Sequence, residues 1–167
     1  MTRKLRTTAM LLAGPAVLGL GLAAAGPAAA ASTTSAAPAT ACTVALPIQI
    51  NGFAFDPAEV TPGNSSTADL ISTNCTAGTL ATSEEWTGQW LPLVGGVGVT
   101  GCPVIDPLVR SVTYAPGQEL AENTTYYVPV GCNAAELEVT VRISIPDGAS
   151  NDIVTATAYL KIIQIAQ

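Results

Sequence analysis

Hydrophobic and polar residues alternate one by one through several short stretches of this chain. The clearest stretch runs from Glu136 to Ile145. Its apolar side chains fall on one face and its polar side chains on the other, which is the pattern of a half-buried β-strand. Pro146-Asp147-Gly148 then supplies turn residues, and the alternation resumes from Val154 to Ile162. We expect these two strands to form a hairpin.

Shorter runs of the same kind come earlier in the chain. They span residues 44–50, 53–60, 66–73, 86–91, 108–114 and 124–130, with turn residues between them. Asn51-Gly52 separates the first two runs, which leaves open whether they form a tight hairpin or one kinked strand. Seven or eight strands at this spacing predict an all-β fold, an antiparallel β-sandwich.

The first 31 residues have the organisation of a secretory signal peptide. Arg3, Lys4 and Arg6 precede a long uncharged stretch, and Ala28–Ala31 offers the small residues that suit cleavage. The uncharged stretch is mostly Ala and Gly, so we expect a cleaved leader and no membrane span in the secreted protein.

The remaining chain divides into two parts. Residues 32–41 contain mainly Ala, Ser and Thr, and we expect a flexible mature N-terminus there. Residues 42–167 are long enough for one domain, the predicted sandwich.

Charge narrows the range of partners. All twelve acidic residues lie beyond residue 31, where Arg110, Arg142 and Lys161 are the only cations. Binding a phosphate backbone requires clustered Lys and Arg, so we expect no nucleic-acid partner. An extracellular protein or a cell-wall polysaccharide remains as the expected partner.

The sequence contains no histidine. Its absence removes the Ser-His-Asp and Cys-His catalytic arrangements and every zinc site that uses histidine. Glu84 and Glu85 are adjacent, so in a strand they point to opposite faces and do not converge on one glycosidic bond. Both are expected on a solvated acidic edge. We therefore predict a protein that is not an enzyme and has no cofactor or metal.

Four cysteines, all in the exported part, are expected to form two disulfides. Cys102 and Cys132 have their midpoint at Gly117, in a Pro-Gly turn, and the midpoint of Cys42 and Cys75 falls close to Pro62-Gly63. This symmetry favours the pairs Cys42–Cys75 and Cys102–Cys132. The alternative pairs Cys75 with Cys132 and Cys42 with Cys102.

Several strand and turn segments resemble those of bacterial secreted immunoglobulin-like domains. These segments are Pro57–Gly63, Asn74–Thr76, Val112–Gly117 and Tyr126–Val130. The resemblance implies an immunoglobulin-like β-sandwich and no particular activity.

Trp86 and Trp90 lie four residues apart and so share one face of a strand. They form either an aromatic platform for sugar rings or part of the core, as a strand-C tryptophan does in immunoglobulin domains. We favour the core for at least one of them.

The segment Cys102-Pro103-Val104-Ile105-Asp106-Pro107 is similar to the reactive-site loop of the secreted bacterial subtilisin-inhibitor family. The resemblance implies that Val104 enters the specificity pocket of a protease and that Ile105 follows the scissile bond. The loop has one residue fewer between Pro103 and Asp106 than that family has. The main functional expectation is a secreted, non-catalytic domain with a structural, adhesive or binding role, and the alternative is a secreted serine-protease inhibitor.

Overall fold

The computed structural model describes residues 42–43, 45–93, 95–96, 98–146 and 153–164. These residues form eight β-strands and, within those ranges, no helix. The strands are β1 (Ile48–Asp56), β2 (Glu59–Val60), β3 (Ser65–Asn74), β4 (Leu80–Leu91), β5 (Leu108–Tyr114), β6 (Glu119–Tyr127), β7 (Glu136–Ser144) and β8 (Ile153–Ile162). The predicted leader and the segment 32–41 lie outside the described residues and stay predictions.

The strands form two sheets that pack as a sandwich. One sheet has the order β1-β3-β6 and the other the order β2-β8-β7-β4-β5. Neighbouring strands run antiparallel, except that the two-residue β2 pairs parallel with the end of β8. Strands β1, β3 and β6 take the places of strands A, B and E of an immunoglobulin domain, and β4, β7 and β8 those of C, F and G. The predicted all-β, immunoglobulin-like sandwich is therefore confirmed.

The core lies between the sheets and is richest along β7 and β8. The inward residues of these strands that are 5% exposed or less are Leu137, Val139, Val141, Ile143, Ala158, Leu160 and Ile162. The two strands pair antiparallel, from Glu136 opposite Lys161 to Ser144 opposite Ile153, which confirms the predicted hairpin. Its connection, residues 147–152, lies outside the described part.

Strand β1 is one strand with a bulge at Asn51, so the hairpin alternative for Asn51-Gly52 is wrong. Residues on both sides of Asn51 pair with β3, and the register shifts between Ile50 and Gly52. A bulge of this kind inserts one extra residue into a strand. The side-chain amide of Asn51 holds the bulge, because it donates to Thr73 Oγ1 at 2.7 Å and to Glu119 Oε2 at 2.8 Å.

Two strands differ from the prediction because polar residues occupy their inward positions. Strand β4 begins at Leu80, well before the predicted 86, and β6 lies earlier than the predicted 124–130. Thr82 and Glu84 point from β4 into the core of the sandwich and are 2% and 0% exposed. The alternation of apolar residues therefore does not mark these parts of the two strands.

Two disulfides, Cys42–Cys75 and Cys102–Cys132, connect segments that lie outside the strands. The predicted pairing is confirmed, and the alternative across Cys75 and Cys132 is wrong. The first bond joins the segment before β1 to the residue after β3, where the amide of Cys75 also donates to the carbonyl oxygen of Pro47 at 2.8 Å. The second joins the β4–β5 loop to the β6–β7 segment.

Removing either disulfide will lower the free energy of unfolding by about 3–4 kcal/mol, because each closes a loop of about 30 residues in the unfolded chain. The Cys42→Ser/Cys75→Ser and Cys102→Ser/Cys132→Ser variants test this by urea unfolding. Chemical reduction of the wild-type protein serves as the common reference. A loss below about 1 kcal/mol in both variants would contradict the loop-closure account.

Candidate functional site

Trp86 lies in the core, where it does not form part of a surface platform. Its side chain is 1% exposed and packs edge-to-face against Phe53, with ring centres 5.3 Å apart. The guanidinium of Arg110 lies over the same ring, 4.9 Å from its centre. The indole is therefore enclosed by the protein itself, as expected for a core tryptophan.

Trp90 shares that inward face and is half-buried. Its indole N–H donates a hydrogen bond to the carbonyl oxygen of Pro103 at 2.7 Å. The two tryptophans are thus not brought together as a sugar-binding surface. Trp90 instead fixes the loop between β4 and β5.

We call residues Gly98–Pro107 of that connection the Val104 loop. Its first half is tied to the β6–β7 segment by backbone and side-chain bonds of Asn133. The amide of Asn133 donates to the carbonyl oxygen of Thr100 at 3.1 Å, and the amide of Thr100 donates to Asn133 Oδ1 at 2.6 Å. The Cys102–Cys132 disulfide adds a covalent tie two residues after Thr100 and directly before Asn133.

The two backbones meet so closely beside this disulfide that only glycine fits. Gly101 has a φ of +72°, in the left-handed region. A Cβ atom there would lie 1.9 Å from the carbonyl oxygen of Gly131, well inside van der Waals contact. Gly101 is therefore part of the frame that holds the Val104 loop.

Ile105 anchors the second half of the Val104 loop. Its side chain is half-buried and lies over Gly88 of β4, where a Cβ on Gly88 would be 2.9 Å from Ile105 Cδ1. Between the two anchored residues Pro103 and Ile105, the side chain of Val104 is 89% exposed. No other large hydrophobic side chain in the described part of the chain is as exposed.

The Val104 loop offers a particular kind of chemistry. It presents one branched aliphatic side chain and the backbone groups beside it, on a main chain that is already held in place. A ligand that accepts this side chain does not have to order the loop, which reduces the entropy cost of binding. Such a loop is suited to recognition.

The two adjacent glutamates lie on opposite faces of β4. Glu85 is half-buried on the outer face and pairs with Arg142 at 3.7 Å. Glu84 is fully buried, so the expectation that both lie on a solvated edge is wrong for Glu84. The sequence signal that locates it is the alternation Thr82, Glu84, Trp86, which places a carboxyl group among inward positions.

A hydrogen-bonded group of side chains surrounds Glu84. The hydroxyl of Tyr114 donates to Glu84 Oε1 at 3.0 Å, and the indole N–H of Trp86 donates to Oε2 at 3.3 Å. Burial and the nearby carboxylate of Glu122 together raise the pKa of Glu84 to about 7. Burial also raises the pKa of Tyr114 well above its usual value, which keeps its hydroxyl a donor.

The described residues contain no group of three or more His, Cys, Asp or Glu side chains arranged to hold a metal ion. Among the same residues there is no helix long and apolar enough to cross a membrane.

No protein-family model and no curated protein matches this sequence. Solved structures with a similar course of the chain exist at low identity. An alkylpurine DNA glycosylase, AlkC of Pseudomonas fluorescens, has a TM-score of 0.46 at 8% identity over 72% of this chain, which spans 31% of the glycosylase chain. The complex of human zinc 2-glycoprotein and prolactin inducible protein gives 0.47 at 11% identity, over 70% of this chain and 93% of that chain.

A PapD-like domain of human CEP192 gives a TM-score of 0.43 at 14% identity, with 81% of this chain and 98% of that domain covered. Similarity at this level carries no functional information. The immunoglobulin-like assignment depends on the strand order and strand pairing of the chain itself.

Replacing Gly88 with alanine will disturb the Ile105 anchor, because the new methyl group overlaps the isoleucine side chain. We expect Gly88→Ala to lower the free energy of unfolding by roughly 1–3 kcal/mol. In Gly88→Ala/Ile105→Ala the methyl group has room, so the double variant should lose less than the two single losses combined. Urea unfolding measures all three, with Gly78→Ala as a control because nothing lies within 4 Å of its added Cβ. Strictly additive losses would show that the two residues do not touch.

Proposed function

We propose that this protein is a secreted, non-catalytic immunoglobulin-like domain that binds a partner protein outside the cell through the Val104 loop. The observation that carries the proposal is the 89% exposure of Val104 between two residues that the fold holds in place. An exposed aliphatic side chain on a fixed backbone contributes little to the stability of its own domain. It is well placed to enter an apolar pocket on a partner.

The disulfides support an extracellular location. Disulfides of this kind persist in oxidising compartments and are uncommon in the cytosol. The predicted leader of residues 1–31 gives the chain a route to such a compartment. Both disulfides lie beyond that leader, in the domain that would be released.

Charge and side-chain type favour a protein partner over a polysaccharide or a nucleic acid. The three cations beyond the leader, Arg110, Arg142 and Lys161, each lie within 4 Å of a glutamate oxygen, so none is left free for phosphate. Sugar rings are bound mainly by aromatic faces, whereas the loop presents valine. An apolar pocket on a protein matches valine better.

Val104→Asp will abolish capture of this partner without unfolding the domain, because a charge replaces the apolar contact at a solvent-exposed position. The wild-type domain, Val104→Asp and Val109→Asp are immobilised and incubated with the secreted and cell-wall fractions of the producing organism. Val109, 62% exposed on β5, provides a matched control at a surface outside the loop. Proteins retained by the wild type and by Val109→Asp, and lost with Val104→Asp, support the proposal. Equal retention by all three domains, or by none, overturns it.

Serine-protease inhibition is a second candidate function, favoured by the same exposure of Val104 on a disulfide-tied loop. An inhibitor of this type presents one side chain to the specificity pocket while its scaffold keeps the loop from opening. The hydrogen bond from Trp90 to Pro103 and the seating of Ile105 on Gly88 restrain the backbone on both sides of Val104. Valine suits the small pocket of elastase-like enzymes.

If the loop inhibits proteases, the wild-type domain will inhibit an elastase-like enzyme at micromolar concentration and a trypsin-like enzyme much less. Val104→Lys will reverse that preference, because trypsin-like pockets contain a carboxylate. Steady-state assays with one enzyme of each class measure the change, with Val109→Lys as the control. If neither the wild-type domain nor Val104→Lys inhibits either enzyme at that concentration, this candidate function is removed. The capture experiment is unaffected by that outcome.

A further inference from the structure

The side of the sandwich between β5 and β6 is closed by polar side chains. Strand β5 ends one sheet and β6 ends the other, so no backbone hydrogen bonds of the sheets cross this side. Ser72 of β3 and Tyr114 of β5 form one bridge, with their hydroxyl oxygens 2.9 Å apart. Arg110 of β5 forms another, because it donates to the carbonyl oxygen of Asn123 at 3.0 Å and to the hydroxyl of Thr124.

The third bridge joins two acids. Glu84 of β4 and Glu122 of β6 both lie beside Arg110, which is opposite Glu84 in the β4–β5 ladder and forms an ion pair with Glu122. A hydrogen bond with Glu122 is among the causes that raise the pKa of Glu84. Two ionised carboxylates repel each other and have no proton to share, so a bond between them requires one proton. Glu122 Oε2 is buried and accepts no hydrogen bond from another described residue, although Arg110 lies 3.8 Å from it. A carboxyl proton on Glu84 would give this pair of acids the missing donor.

We propose that Glu84 and Glu122 share a single proton and that this carboxyl–carboxylate bridge makes the closure of the β5–β6 side depend on pH. When the proton leaves for solvent, two like charges face each other in a buried space. The bridge is then lost, and this side of the sandwich loosens. The chain therefore holds its sheets together more firmly in mildly acidic than in mildly alkaline solution.

The groups that face Glu84 come from four neighbouring strands. Strand β5 contributes Tyr114 and Arg110, and β6 contributes Glu122. The facing residues of β3 and β7 are the uncharged Ser72 and Ile143. Arg110 is engaged with Glu122, Asn123 and Thr124.

The sign of the effect follows from where the proton binds more tightly. The pKa of Glu84 is about 7 in the folded chain against 4.5 for an ordinary glutamate, so the folded state binds the proton more tightly. The resulting stabilisation is complete below about pH 4.5 and is lost as the pH rises through 7. Between pH 5 and pH 8 the equilibrium constant for unfolding should increase roughly 50- to 100-fold.

The absence of histidine makes this window easy to interpret. No histidine titrates in this protein, so among ordinary side chains nothing else changes charge near pH 7. Unperturbed carboxyl groups finish titrating near pH 5, and only the α-amino group remains close to the upper end. A stability transition near neutrality therefore identifies a shifted carboxyl group.

Urea unfolding at pH 5, 6, 7 and 8 tests the proposal on the wild-type protein, Glu84→Gln and Glu85→Gln. Glutamine at position 84 keeps the shape and one accepting oxygen, and its amide N–H replaces the carboxyl O–H as a donor. It has no proton to lose, so its unfolding constant should stay nearly level across the series. Glu85→Gln changes the neighbouring acid on the outer face and should retain the wild-type dependence. A level wild-type profile, or an unchanged profile in Glu84→Gln, overturns the proposal.

A second measurement does not depend on the folding of any variant. Infrared spectra of the wild-type protein report the C=O stretch of a protonated carboxyl group, which should be present at pH 6 and disappear above pH 8. Amide hydrogen exchange in β5 and β6, corrected for its intrinsic pH dependence, should accelerate over the same interval. Absence of the carboxyl C=O band at pH 6 would overturn the proposal. So would an exchange rate in β5 and β6 that does not change between pH 6 and pH 8.

Discussion

The alternation of side chains along each strand is the constraint on which the rest of this structure depends. Every second residue enters the space between the sheets, whatever its polarity. In β7 that rule fills the core with aliphatic groups, and in β4 it carries Glu84 inside with them. A buried carboxyl group without partners costs several kcal/mol, so the hydroxyl, indole and carboxyl groups around Glu84 are a requirement of its position. The polar side of the sandwich follows from the same geometry as the apolar core.

The polar side chains between β5 and β6 also protect the two sheet edges that these strands form. Strands β5 and β6 each end a sheet and each turn one charged side chain inward, Arg110 and Glu122. Inward-pointing charges on edge strands disfavour pairing with a second chain, because such pairing would have to accommodate them. Arg110 therefore serves both to bridge the sheets and to protect an edge, and its contact with Trp86 links that edge to the core.

Sequence patterns predicted the parts of the fold in which apolar residues occupy the inward positions and polar residues the outward ones. The β7–β8 hairpin, the β5 strand and both disulfides were accessible because apolar residues mark the inward face and turns lie midway between the cysteines. The start of β4 and the bounds of β6 were not, since Thr82, Glu84 and Glu122 occupy inward places. The Val104 loop was found as a motif, but its anchors were not. Contacts of Trp90 with Pro103 and of Ile105 with Gly88 join residues from different segments, and no local pattern reveals them.

The close approach of Gly101 to Gly131 has a consequence for how this surface can change over evolutionary time. The two backbone segments cannot separate without disrupting the contacts that hold the Val104 loop, and position 101 admits no side chain. Position 104, by contrast, makes almost no contact with its own domain. Substitutions there alter what the protein touches at little expense in folding, so new specificities are open to it by single changes. A fixed frame around one residue with few contacts is an arrangement in which the exposed side chain can change while the fold stays the same.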